Sequence, residues 1–329
     1  MINFTYPDSR IVKIYNFLHP GMLNLYAEQC NLNPDLMKLH PDPVKGAIYF
    51  TIGITFEFIY LLCMIAMCQP KFLNIVCYRI LFAIGCFDML GMLWNSLLPA
   101  YFLITGQSFC HSPLLNLSLG SVCLPIWAVY SGLSMSLAVN RCIDFGWPHK
   151  QQKLFGERMI ILWTGAPILY GIALCIQMPA ALYHPGSATY YFAVDPAHIQ
   201  VPFLYTINNG LVAALILILN ILMILAMFHR NFMIMTKAQR IIMFQCLAIG
   251  MSVLVTGWIY VFMQFVPTPI FMITVANVCW QLSNGSMAIV YLTVNKSMRL
   301  EVLKLLKIPF RSKIYDSNNV DSADQIQQN

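Results

Sequence analysis

The sequence has little charge. Only 10% of its 329 residues are Asp, Glu, Lys or Arg, whereas 59% are hydrophobic and the mean hydropathy is +0.67. Soluble domains carry roughly 25% charged residues, so this composition excludes an ordinary soluble domain and predicts a membrane protein. No nucleic-acid partner is expected of such a chain.

Catalytic and metal-binding patterns are also missing. The chain contains no HExxH or CxxC spacing, and its seven histidines fall in predicted loops or at predicted helix ends. Zinc sites and Ser-His nucleophiles need such residues close together, so neither is expected. We therefore predict that the protein is not an enzyme and holds no cofactor.

Lys and Arg are absent from three long stretches, 80–140, 159–229 and 241–295. Each is long enough for two membrane-spanning helices, which need roughly 20 apolar residues apiece, and the outer loop that joins them. Basic residues return between these stretches, and membrane chains orient with their basic loops in the cytoplasm. All but four of the 19 basic residues then lie on the inner side. The pattern predicts seven crossings with the N-terminus outside.

The apolar runs predict an all-α fold, a seven-transmembrane helix bundle forming one domain. An extracellular segment, 1–44, precedes the bundle; it lacks helical periodicity, and we expect it to be partly ordered at most. We predict that residues 296–309 form a cytoplasmic amphipathic helix on the inner leaflet, because basic residues alternate with leucines there at helical spacing. Residues 310–329 have the composition of a disordered cytoplasmic tail. The predicted spans, within 45–295, are 45–68, 75–104, 113–140, 159–182, 202–228, 241–265 and 270–294.

Three features belong to the outer side of the predicted bundle. Asn3 heads an Asn-x-Thr glycosylation sequon in the extracellular segment. Cys30 and Cys110 are the only cysteines expected outside, where they either form a disulfide or remain two free thiols. The second outer loop, 183–201, is rich in Tyr, Pro and Gly and is a candidate lid over a pocket.

Two carboxylates lie inside the predicted spans, Glu57 in the first and Asp88 in the second. A charged side chain in hydrocarbon costs about 2.5 to 3.5 kcal/mol on the insertion scale, so both should face the bundle interior. Counted from the inner helix ends, both lie about 16 Å above the inner surface. One hypothesis is a polar core switch of Glu57, Asp88 and Asn284, with sodium as a candidate guest at Asp88. The alternative is that each acid is protonated and bonded to backbone or amide groups.

The inner end of the third predicted span carries Asn140 and Arg141, followed by Asp144. Arg141 can reach a cytoplasmic partner or pair with Asp144 one turn on, and the alternative is that it is one more basic anchor on the inner side. Aromatic and polar residues in the outer halves of the spans could line a small-molecule pocket, although such residues more often serve packing or the interfacial belt. They are Tyr101, Trp127, Tyr130, Trp258, Tyr260, Gln264, Trp280 and Gln281.

Several segments between residue 46 and about residue 305 resemble those of a known protein family. They are Gly46-Ala47-Ile48-Tyr49-Phe50, Cys77-Tyr78-Arg79-Ile80 with Gly85-Cys86-Phe87-Asp88, Gly106 to Cys110, Leu137-Ala138-Val139-Asn140-Arg141, Asn208-Asn209, Ile259 to Phe265, and Trp280 to Gly285 with Ile289 to Lys296. On these segments the chain resembles the nematode serpentine chemoreceptors of class T, seven-helix receptors in the broad G-protein-coupled group.

The resemblance implies a receptor in the plasma membrane, in sensory neuron cilia, that senses a small molecule and signals through a heterotrimeric G protein. Asn140 and Arg141 would occupy the place of the acidic-Arg-aromatic triplet of rhodopsin-like receptors, without the acid that usually locks the Arg. The family often begins with Tyr-Asn-Cys, whereas this chain has Tyr15-Asn16-Phe17. The alternative function is an odorant-gated channel or small-solute transporter, and insect-type odorant channels keep the N-terminus inside.

Overall fold

The computed structural model describes residues 4–229, 236–266 and 268–307. The sequon at Asn3 and the predicted tail 310–329 lie outside these ranges.

The described chain is mostly helical. In chain order the elements are α1 Arg10–Leu18, α2 Met22–Leu32, α3 Pro43–Met67, α4 Pro70–Leu73, α5 Val76–Met92, a π-helical turn Leu93–Leu97, α6 Leu98–Thr105, α7 Pro113–Gly146, α8 Pro148–Phe155, α9 Met159–Gln177, β1 Leu182–His184, β2 Thr189–Tyr191, α10 Phe203–His229, α11 Lys237–Phe265, α12 Ile270–Val294 and α13 Lys296–Leu305. Short 3-10 turns lie at Pro34–Met37, Pro185–Ser187 and Pro196–His198.

Long helices occupy the seven predicted spans, but α9 ends at Gln177, five residues before the predicted end of the fourth span at 182, where β1 begins. Among the described residues, six are both long and apolar enough to cross a membrane: α3, the continuous run Val76–Thr105, α7, α9, α10 and α11. α12 has 25 residues, enough to cross, but Asn277, Gln281 and Asn284 lower its hydropathy. Those three amides are buried, so the polarity of α12 is turned into the bundle. The all-α seven-helix bundle that the sequence predicts is confirmed.

Prolines inside three helices tie neighbouring helices together. Proline has no N–H, so it frees the carbonyl four residues earlier. The Asn95 carbonyl, freed by Pro99, accepts from Nε2 of Gln281 at 2.9 Å and Nδ2 of Asn277 at 3.4 Å. The Ser121 carbonyl, freed by Pro125, accepts from Cys175 Sγ at 3.5 Å.

The third freed carbonyl belongs to Trp163, four residues before Pro167 in α9, and it accepts from the Ser136 hydroxyl at 2.9 Å. Backbone groups exposed in a membrane need such partners, because no water is at hand. The helices that contain these prolines are therefore joined to their neighbours at the freed carbonyls.

The expectation that segment 1–44 is partly ordered at most is wrong. α1 and α2 fold onto the end of the bundle that carries the β1–β2 hairpin, around a hydrophobic cluster that includes Tyr15, Tyr26, Phe109 and Leu182. The sequence predicts this end to be extracellular, and we call it the outer end and the opposite one the inner end. Cys30 of α2 and Cys110, just before α7, are joined by a disulfide with their Cα atoms 5.9 Å apart. We refer to residues 4–42 in this position as the outer cap.

The outer cap is hydrogen-bonded to the second outer loop. The side-chain oxygen of Gln29 accepts from the backbone N–H groups of Val194 and Asp195 at 2.8 and 3.1 Å. Nδ2 of Asn33 donates to Asp195 at 3.0 Å. These bonds hold the cap against the chain that follows the β1–β2 hairpin.

The second outer loop forms that hairpin, in which Leu182 pairs with Tyr191 and His184 with Thr189. Its entry lies tight against α7: the Ala181 N–H donates to the Gly120 carbonyl at 3.1 Å. A Cβ on Gly120 would lie 2.4 Å from the Ala181 carbonyl oxygen, so only glycine allows this approach.

α13 follows the last span, as predicted. The Asn295 side chain caps it by accepting from the Met298 N–H at 3.1 Å, and its Nδ2 donates to the Tyr78 hydroxyl at 2.7 Å. Glu301 accepts hydrogen bonds from Lys71 and Lys304. These two ammonium groups hold the pKa of the Glu301 carboxyl below its usual range.

Candidate functional site

A cavity of about 60 Å³ lies between the outer halves of the spans, beneath the β1–β2 hairpin. Among the described residues that line it, none carries a charge. They are Cys123, Leu124, Trp127, Ala181, Thr189, Tyr190, Phe192, Tyr205, Asn209, Thr256, Tyr260 and Trp280. Apolar and aromatic walls with a few placed polar groups are typical of small-molecule sites.

The aromatic walls of the cavity contact one another. The rings of Trp127 and Trp280 meet edge to face at 6.5 Å, and Tyr260 meets Trp280 in the same manner at 6.1 Å. Phe192 from the loop packs against Tyr205 of α10 at 5.1 Å. The cavity is therefore shaped by rings from α7, α10, α11, α12 and the outer loop.

Asn209 supplies polarity in the cavity wall. Its Oδ1 accepts from Trp127 Nε1 and from Asn208 Nδ2, both at 3.2 Å. Asn208 Oδ1 in turn accepts from the Tyr170 hydroxyl of α9 at 2.7 Å. Because each side chain is held by the next, the Asn209 amide presents a fixed polar group to the cavity.

The roof of the cavity is attached to the bundle. The Tyr190 hydroxyl in β2 donates to the Trp94 carbonyl at 2.8 Å, inside the π-helical turn, and the Tyr183 N–H donates to Asn116 Oδ1 at 3.2 Å. The hairpin thus spans from α7 to the second span over the cavity.

A buried polar cluster lies on the inner side of the cavity. Tyr60 of α3 donates to Asp88 of α5, and both side chains are fully buried. Tyr130 of α7 donates to the Ser283 carbonyl at 3.2 Å. Ser283 donates to Asn284 Oδ1 at 3.0 Å, and a Cβ on Gly91 would lie 1.6 Å from Asn284 Nδ2. Polar contacts therefore join α3 to α5 and α7 to α12, and Asn284 of α12 lies against Gly91, one turn beyond Asp88 on α5.

Glu57 does not join this cluster. It is half-buried and makes no hydrogen bond or ion pair among the described residues, whereas Tyr60, one turn further along α3, takes the place facing Asp88. Counting residues along a helix gives the depth of a side chain in the membrane. It does not give the direction in which the side chain points, which turns by about 100° with each residue, and the direction that we expected for Glu57 is wrong. The structure thus brings Asp88 and Asn284 to one region without Glu57.

Arg141 lies buried at the inner end of α7. Its Nε donates to Asn140 Oδ1 at 3.0 Å, its Nη2 donates to the same oxygen, and its Nη1 pairs with Asp144 Oδ2 at 3.0 Å. The guanidinium is only 6% exposed. The hydrogen-bond partners Asn140 and Asp144 both lie on α7 itself, next to and one turn beyond Arg141.

The sequence profile described as "Serpentine type 7TM GPCR chemoreceptor Srt" matches residues 13–314. This chain belongs to the class T serpentine family. It is also similar to "Serpentine receptor class T-55" of Caenorhabditis elegans, with 25% identity over 243 residues, which cover 70% of this chain and 65% of that protein. The class T chain thus spans somewhat less than two thirds of that relative's length. The resemblance drawn from the sequence is confirmed.

Three of the aromatic residues singled out from the sequence line the cavity of the class T chain: Trp127, Tyr260 and Trp280. Others do not. Tyr101 and Trp258 are 43% and 52% exposed on the outside of the bundle. The remaining three pair inside the protein: Gln281 with the Asn95 carbonyl, Gln264 with Thr206, and Tyr130 with Ser283.

Sequence reasoning missed several lining residues of the class T chain, including Cys123, Tyr190, Phe192 and Tyr205. The signal for Asn209 was available, because two adjacent amides in an otherwise apolar span are costly unless they are paired. No comparable signal marks Tyr190 or Phe192, since their place over the cavity depends on how the hairpin folds.

Proposed function

We propose that this class T chain is a chemosensory receptor that binds a small molecule in the cavity and signals through a heterotrimeric G protein. The observation that carries the proposal is the uncharged, aromatic cavity between α7, α10, α11 and α12, beneath a tethered loop. We further propose that it lies in the plasma membrane of sensory neuron cilia, with the N-terminus and 1–44 extracellular and 296–329 cytoplasmic.

The route from ligand to partner would run along α12. Trp280 contributes to the cavity, Ser283 and Asn284 contact α7 and α5, and Asn295 at the end of α12 bonds Tyr78. A ligand that binds one packing of these helices better than another shifts the population toward that packing. Asn140 and Arg141 at the inner end of α7 are the proposed G-protein contact. Sodium at Asp88 stays a prediction, tested by agonist potency across sodium concentrations in Asp88→Asn.

The test is heterologous expression of the full chain with a panel of odorants and metabolites and a second-messenger readout. For an active compound we expect Trp280→Leu to raise the half-maximal concentration by about tenfold or more, because an aromatic wall of the cavity is lost. Trp258→Leu is the matched control, since that ring is exposed on the outside of the bundle. Arg141→Ala should abolish signalling at unchanged surface expression.

Two results would contradict the proposal. Ligand-evoked currents that persist without any G protein would indicate the channel alternative. Equal losses of potency in Trp280→Leu and Trp258→Leu would mean that the ligand does not bind in the cavity.

A further inference from the structure

Helix α1 exposes a large apolar surface on the outer cap. Ile11, Ile14, Phe17 and Leu18 are 45%, 60%, 84% and 37% exposed, although α1 has only nine residues. Single exposed apolar residues are ordinary, but four neighbouring ones on one short helix mark a surface that has a partner.

The three faces of α1 are distinct. At about 100° per residue, Ile11, Ile14, Phe17 and Leu18 share one arc of roughly 120°. Arg10, the first residue of α1, falls in the same arc. Tyr15 lies beside that arc and is buried in the outer-cap cluster. The polar side chains of Lys13 and Asn16 occupy the remaining side and are exposed, with Lys13 paired to Asp8 at 2.7 Å.

α1 lies beside the ends of two predicted spans, α7 and α9. The Tyr15 hydroxyl accepts from the Ala180 N–H at 3.0 Å, and Ala180 follows the end of α9 by three residues. Tyr15 also belongs to the same cluster as Leu117, in the first turns of α7. The helix is therefore fixed beside the outer ends of two spans.

A second exposed apolar surface runs along α9, the span whose end leads to Ala180. Along α9 the side chains of Leu169, Ile172 and Ile176 are 68%, 53% and 50% exposed, the pattern of a helix face turned toward lipid. Ile176 stands at the outer end of this face, four residues before the Ala180 N–H that bonds Tyr15. The exposed apolar side chains of α9 thus continue to within four residues of the point where the chain bonds α1.

We propose that α1 is an interfacial helix whose Ile11, Ile14, Phe17 and Leu18 lie in the acyl boundary of the bilayer. Lys13 and Asn16 face water, and the long stem of Arg10 carries its charge to the headgroups. Only the choice of leaflet, the outer one, rests on the proposed orientation of the receptor. Through Tyr15, the disulfide and Gln29, lipid contact at α1 fixes the cap over the loop that roofs the cavity.

The experiment places the photoreactive residue p-benzoyl-phenylalanine at one position of the full chain, reconstituted in phosphatidylcholine nanodiscs. Phe17 is the test position and Asn16, on the water side of the same helix, is the matched control. Leu169 on α9 provides a lipid-facing reference. Phe17 and Asn16 are both exposed, so neither replacement displaces a packed side chain. Adducts are identified by mass spectrometry of the digested protein.

We expect lipid adducts at Phe17 at a yield comparable to Leu169 and at least about fivefold above Asn16. Equal yields at Phe17 and Asn16, or adducts at Phe17 only to a second copy of the chain, would overturn the proposal. Lipid capture in a nanodisc does not depend on which side the N-terminus lies. A failure of the proposed orientation and a failure of lipid contact at α1 are therefore separate results.

Discussion

Asp88 and Glu57 differ in what their neighbours offer. Both are single carboxylates in apolar helices, and the sequence places both at the same depth. Asp88 meets the Tyr60 hydroxyl, because tyrosine on the adjacent helix is long enough to reach it, and the pair is sealed from water. The sequence predicts that a carboxylate in a span faces the bundle interior. Its hydrogen-bond partner depends on how each helix is rotated about its axis, and spans that are apolar on nearly every side do not define that rotation.

Arg141 gives a testable consequence of a local ion pair. Asp144 pairs with the buried Arg141 at 3.0 Å, and because the carboxylate itself is 28% exposed to water we take about 1 kcal/mol as the contribution of the pair. If the pair holds Arg141 away from a G protein, Asp144→Asn should raise basal signalling up to about fivefold, since 1.4 kcal/mol corresponds to tenfold. Basal activation across a panel of Gα subunits measures this.

The control for Asp144→Asn is Asp35→Asn, which removes an exposed pair of the same spacing with Lys38 on the outer cap. Basal signalling should not change in that variant. An unchanged level in Asp144→Asn, together with a lost response in Arg141→Ala, would show that Asp144 is not the lock.

Gly91 provides a second prediction at a single position. An added methyl group would meet Asn284 Nδ2 at 1.6 Å, so Gly91→Ala must displace α12 or the Asn284 side chain. Overpacking of this kind costs roughly 1 to 3 kcal/mol, so we expect the apparent Tm in detergent to fall by about 3 to 10 °C. Size-exclusion chromatography after heating measures the loss.

Gly165→Ala in α9 is the matched control, because a Cβ there meets nothing within 4 Å. Its Tm should stay the same or rise slightly, since alanine favours helix. Equal losses in the two variants would mean that the close approach of Asn284 to Gly91 is not what limits stability.

At the scale of elements, the spans could be predicted from the sequence and the outer cap could not. A span of 25 apolar residues is visible by itself, whereas α1 and α2 have 9 and 11 residues, and helices this short are marginal in isolation. They are held by residues far along the chain, including Phe109, Cys110, Leu182 and Val194. The partner of the Asn95 carbonyl could not be predicted either. Pro99 shows that this carbonyl is free, but nothing in the sequence shows that the Gln281 side chain donates to it.

The link between the outer cap and the cavity roof can be tested at Gln29. Its Oε1 is the acceptor for the Val194 and Asp195 N–H groups, so Gln29→Ala leaves both without it. A lost buried hydrogen bond costs about 1 to 3 kcal/mol, which predicts roughly tenfold or greater loss of protection at those amides. Hydrogen–deuterium exchange of the peptide that contains them is the measurement.

Glu28→Ala, at the exposed neighbouring position, is the control and should leave the exchange of Val194 and Asp195 unchanged. Protection that persists in Gln29→Ala would mean that the loop keeps its position independently of the cap.

At the scale of the whole molecule, orientation follows from where the cations lie. The described Lys71, Arg79, Arg141 and Lys153 fall on connections or helix ends at one end of the bundle, whereas the disulfide and the hairpin lie at the other. Cationic side chains resist transfer across the bilayer, so the charged end should remain in the cytoplasm. The sequence could predict this alternation because it depends on composition along the chain. The sequence could not predict the cavity, because the cavity depends on side chains from four spans and a loop.

The orientation can be measured with epitope tags in intact cells, one fused ahead of Phe4 and, in a separate chain, one placed after Asn329. We predict that antibody reaches the first tag without permeabilisation and the second only after it. An N-terminal tag that is stained only in permeabilised cells would contradict the account, because the cavity roof would then face the cytoplasm and Arg141 would face away from any G protein.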